Sequence, residues 1–123
     1  MATLTPTLTL SSSDMNGDTL NLSVTDSLSI LGQVTTKQVV SSTTGVVFAT
    51  ADNYTKSYVY LKNLSTTAAE IITIEKADGG DEYMTLGAGE FAFFPWASTV
   101  DLAVDAAQGT PTLEVRIYQE AAA

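Results

Sequence analysis

Thr19-Leu-Asn-Leu-Ser-Val-Thr-Asp-Ser-Leu-Ser-Ile30 is the stretch that decides the fold class. Its apolar residues fall at Leu20, Leu22, Val24, Leu28 and Ile30, with Asn21, Ser23, Thr25, Ser27 and Ser29 between them. Alternation of this kind marks a strand with one buried and one wet face. Asp26 falls on the apolar side, so a bulge, kink or turn is expected to split the run there. The preceding Leu4-Thr-Pro-Thr-Leu8-Thr-Leu10 alternates too, but Pro6 cannot donate to a ladder. Residues 1–13 are therefore expected to form an edge strand or an extended N-terminal arm. Residues 14–123 are read as one β domain.

Working outward, further strands are expected over residues 46–51, 56–64, 69–76, 83–86, 91–96, 100–106 and 112–119. Turn signals bound them: Asp52-Asn53, Asp78-Gly79-Gly80-Asp81, Gly87-Ala88-Gly89 and Gln108-Gly109-Thr110-Pro111. Residues 31–44 read either as a long loop or as one more irregular strand. Many short strands at regular spacing point to an all-β protein, an antiparallel β-sandwich or jelly-roll-like domain carrying the N-terminal arm.

Composition narrows the function. The 123 residues suffice for one domain, and 45% hydrophobic against 15% charged residues is a folding composition rather than a disordered one. Five Lys and Arg stand against 14 Asp and Glu, a net charge of -9 that argues against a nucleic-acid partner. The sequence contains no Cys and no His, which removes thiolate nucleophiles, imidazole bases and the usual zinc ligands. The serines have no evident activating partner, so no catalysis and no cofactor are expected. No apolar stretch approaches the ~20 residues of a spanning helix, and the start lacks a signal-peptide pattern. Neither a membrane partner nor export is expected.

Asp14, Asn16 and Asp18 occupy the first three ligand positions of a calcium loop. The sixth and twelfth places hold Thr19 and Thr25 where Gly and Glu are wanted, so a plain turn is the favoured reading and a weak ion site the lesser one. Asp78, Asp81 and Glu82 form a similar acidic turn. Glu90, after the glycine turn, is read as pairing with a backbone amide or a lysine. Asn21, Asn53 and Asn63 head Asn-x-Ser/Thr triplets, read as chance matches.

The run Phe91-Ala-Phe-Phe-Pro-Trp96 is apolar on both sides of a strand. One side belongs to the core; the other needs a cover, either a loop of the same chain or a neighbouring subunit. Phe94 and Trp96 are taken as the side in need of one. Tyr58 and Tyr60 raise the same question, and Leu4, Leu8 and Leu10 suit an arm that fills pockets on another chain. These seven residues are the candidate subunit or partner interface. A carbohydrate platform using Trp96 with Tyr58 or Tyr60 is an alternative.

Four phrases carry a family resemblance: the opening Thr5-Pro-Thr-Leu-Thr-Leu-Ser-Ser-Ser-Asp14, Leu22-Ser-Val-Thr-Asp-Ser-Leu28, Tyr58-Val-Tyr-Leu-Lys-Asn63 and Leu86-Gly-Ala-Gly-Glu-Phe-Ala-Phe-Phe-Pro95. Together they resemble small virion structural proteins of tailed bacteriophages. The resemblance implies a capsid decoration, or cement, protein, made in the host cytoplasm and placed on the outer capsid surface. It further implies a partner in the major capsid protein or another virion protein, and a homo-oligomer with a trimer favoured. A tail fibre, adaptor or host-facing appendage is the alternative within the virion.

Overall fold

The computed structural model describes residues 1–14, 20–77 and 80–121, and it is all-β with antiparallel sheets. In chain order the strands are β1 (Ala2–Leu4), β2 (Thr7–Ser12), β3 (Leu20–Thr25), β4 (Leu28–Val40), β5 (Val46–Ala49) and β6 (Ser57–Asn63). They continue with β7 (Ile72–Lys76), β8 (Glu82–Leu86), β9 (Phe91–Trp96), β10 (Leu102–Ala106) and β11 (Thr112–Glu120). A 3-10 turn at Ala51–Asn53 follows β5.

Three sheets result. A five-stranded sheet runs β1-β4-β11-β6-β9, a four-stranded sheet runs β5-β10-β7-β8, and β2 pairs with β3 as a separate ribbon. Asp26 interrupts the alternation as expected: β3 stops at Thr25 and β4 begins at Leu28. The Asp26 amide donates to the Pro6 carbonyl and its carboxylate accepts from the Ser27 amide, so the break is held by hydrogen bonds of its own. Residues 1–13 supply β1, which pairs with β4, and β2, which pairs with β3.

Of the stretch left open between loop and strand, residues 31–40 belong to β4, which has 13 residues, and residues 41–44 form the turn after it. β4 pairs with β11 in register from Val40 back to Val34, and again at Ile30 after a shift in register. Thr35, Lys37 and Val39 face the interior side but are only half-buried. Pairing with β11, rather than apolar alternation, holds this strand in place.

The core draws on both large sheets. Val59, Leu61, Leu113, Val115 and Ile117 come from the five-stranded sheet, and Phe48, Ile72, Ile74, Leu102 and Val104 from the four-stranded one. All ten are at most 2% exposed, so each adds about 1.5–3 kcal/mol of burial. Asn63 is a polar exception at 0% exposure. Its amide donates to the Glu70 and Leu86 carbonyls, and its Oδ1 accepts from the Ser65 amide. A buried amide with both halves engaged costs little and links β6 to the end of β8.

The expectation for β9 needs correction. Phe94 and Trp96 face inward: Trp96 is buried in the core and tilts against Tyr54 at 5.7 Å between ring centres, and Phe94 packs on the same cluster. The strand register explains the inversion. Phe94 pairs with Val59 and Ala92 with Leu61, and paired residues share a face, so the even-numbered residues of β9 join the core side of β6. Phe91, Phe93 and Pro95 are the residues left outside.

Candidate interaction surface

The outer face of the five-stranded sheet follows from the same register. Tyr58 lies opposite Pro95, Tyr60 opposite Phe93 and Lys62 opposite Phe91. On the other flank, Tyr118, Arg116 and Glu114 of β11 lie opposite Tyr58, Tyr60 and Lys62. Phe91 is 62% and Phe93 40% exposed, a patch of aromatic surface centred on an edge strand. The turn before β9 fixes its position. The Glu90 carboxylate accepts from the Gly87 amide, the Gly89 amide donates to the Asn63 carbonyl, and the Asn63 amide donates to the Glu90 carbonyl. Gly89 has φ of +78°, which suits glycine at this turn. Glu90 is thus paired with a backbone amide, the plainer of its possible roles.

Tyr58 is nearly covered. Its ring lies almost parallel to Phe93 at 6.4 Å, its hydroxyl donates to Glu120 at 3.0 Å, and the Lys56 ammonium sits 5.4 Å from the ring centre. Lys56 also pairs with Glu120, which holds its ammonium pKa above the ordinary lysine value. Tyr60 is raised as well, first by desolvation and then by the Glu114 carboxylate. Arg116 is raised chiefly through its hydrogen bond with Glu114. The strands of this sheet carry Lys37, Lys62 and Arg116 against Glu114 and Glu120, so the sheet is close to neutral in a chain of net charge -9.

Above this face stands the β2–β3 ribbon. Leu8 pairs with Val24 and Leu10 with Leu22, and all four side chains are 42–52% exposed. Alternate positions hold Thr7 against Thr25 and Thr9 against Ser23, joined through their hydroxyls. Between ribbon and sheet lies a groove of about 680 Å³, whose walls include Leu8 and Val24 of the ribbon and Leu4, Tyr58, Tyr60 and Phe93 of the five-stranded sheet.

Four of the seven candidate interface residues therefore meet in one groove: Leu4, Leu8, Tyr58 and Tyr60. Leu10 is exposed farther along the ribbon, while Phe94 and Trp96 belong to the core. With Trp96 inside, the carbohydrate platform loses its principal ring. Phe91 and Phe93, which replace Phe94 and Trp96 on the surface, were missed because both sides of β9 are apolar and only its register with β6 tells them apart.

Asp14 is exposed and accepts from the Ser12 hydroxyl, while Asn16 and Asp18 lie outside the described residues. Asp78 also lies outside them, and Asp81 and Glu82 are exposed. Of the Asn-x-Ser/Thr triplets, Asn63 is fully enclosed and its amide nitrogen already engaged. The chain matches no family model, no curated protein and no solved structure.

Proposed function

We propose that this chain is a non-enzymatic virion structural protein of a tailed phage, a capsid decoration protein that docks on the outer head surface and bridges capsomers. The observation that carries the reading is the exposed patch of Phe91, Phe93 and Pro95 beside the apolar groove. Covering a large apolar side chain contributes about 1.5–3 kcal/mol, so a partner that covers Phe91 and Phe93 gains directly. The near-neutral sheet supports the same surface, because a strongly acidic protein meets least repulsion there. The family resemblance of the sequence supplies the virion and the major capsid protein as partner.

In this reading the two large sheets make a jelly-roll-like sandwich. The first 13 residues act as the arm, with Leu8 and Leu10 of the ribbon offering a second apolar strip to the shell. The chain is assembled onto the head in the host cytoplasm. Many copies of modest affinity then hold the shell collectively.

Cryo-EM of the assembled virion tests the proposal. The expected result is density for the chain on the head, with the Phe91 and Phe93 side against the shell. Phe93→Asp should keep the β circular-dichroism signal and lose head occupancy. Density on the tail, or full head occupancy by Phe93→Asp, overturns the assignment.

A further inference from the structure

A different surface, the free edge of β4, points to a second partner. β1 covers this edge only at Leu28, Ser29 and Ile30, and the register with β11 shifts between Ile30 and Val34, leaving residues 34–40 in register with β11 on one side and with no strand on the other among the described residues. Val34 is 47% and Val40 62% exposed along it. An uncovered edge of this length presents a row of unpaired N–H and C=O groups, a template for another strand. Natural edges are blunted by charge or proline; here Lys37 is the one charged residue, and there is no proline.

We infer that the occupant is the same edge of a second copy, paired antiparallel across a two-fold axis so that two five-stranded sheets join into one. Charge selects this partner. Residues 27–51 contain no Asp or Glu, although the chain has 14, so two bodies of charge -9 can approach here without opposing carboxylates. Geometry also favours it, since an antiparallel edge is its own complement under a two-fold and a closed pair leaves no growing end.

The symmetry constrains the register. Residues directly opposite share a face, and a two-fold perpendicular to the sheet preserves the face of every residue. The axis must therefore pass between two copies of one and the same residue. Lys37 is excluded, because two ammonium groups would then face each other. The axis falls instead among Val34, Thr35, Thr36 and Gln38, within the regular part of the strand.

The absence of cysteine from the chain makes the test direct. Light scattering on the purified full chain should give a dimer, and a Val34→Lys, Gln38→Lys variant should run as a monomer at the same concentration with its β signal intact. Single cysteines placed in turn at Val34, Thr35, Thr36 and Gln38 should cross-link best at one position and fall away on both sides. Phe93→Asp should leave the dimer intact, which separates this edge from the aromatic face. A monomeric or trimeric wild-type chain overturns the inference. So does a dimer that survives both lysines, or one that Phe93→Asp dissociates.

Discussion

The two sides of β9 are built from similar residues and meet opposite surroundings. Ala92, Phe94 and Trp96 pack with Val59 and Leu61 in the core, while Phe91, Phe93 and Pro95 stand over Tyr58 and Tyr60 in reach of solvent. Hydrophobicity does not distinguish them. What does is pairing: β6 buries Val59 and Leu61 on its odd-numbered side and carries tyrosines and Lys62 on its even-numbered side, and the antiparallel register passes that distinction to its neighbour. An aromatic residue on this strand thus lies in the core or at the surface according to parity alone.

That contrast can be broken most severely from within. Trp96→Ala should cost about 3–5 kcal/mol, the range for emptying a large aromatic site, visible as a lower midpoint in urea. Trp96→Asp should abolish the cooperative transition, because the charge has no counterpart in the core. Asn63→Ala, which opens the seam beneath the same strand, should cost about 2 kcal/mol or more by the same measurement. It leaves two carbonyls and the Ser65 amide without their partner. Opposite parity should behave in the opposite way: Phe93→Asp should move the urea midpoint little while removing binding through the outer face.

The smallest effect sharpens the outer face itself. Tyr60 is raised above the ordinary tyrosine value of 10.0 in the folded chain, first by desolvation. The unfolded chain therefore ionises this phenol at lower pH than the folded one. Its contribution is fully present below pH 10.0 and is lost as pH rises through the folded value. Tyr60→Phe should flatten the decline in stability above pH 10.0, with little change at neutral pH. An equally steep alkaline decline in the variant would separate Tyr60 from that loss.

Much of the fold was legible because the strands alternate and the turns are strongly marked. The break at Asp26 and the bounds of β9 were readable from local pattern. β4 was not, because its interior side holds Thr35 and Lys37 where alternation would demand apolar residues, and its place depends on distant β11. Within the candidate surface, Leu4, Leu8, Tyr58 and Tyr60 were visible as apolar or aromatic residues on strands. The parity of β9 was hidden for a physical reason. Register between β6 and β9 is a long-range property, and a strand apolar on both sides carries no internal sign of which side faces in.

The enclosure of Asn63 has a practical consequence for making the protein. The triplet Asn63-Leu64-Ser65 satisfies the glycan acceptor rule, and oligosaccharide transfer can act on a nascent chain before its strands close. A sugar attached there has no room between the sheets, and it replaces an N–H that holds the seam. Production through a eukaryotic secretory route should therefore yield misfolded material unless the triplet is removed at Ser65, whereas a bacterial cytosol without that machinery avoids the trap.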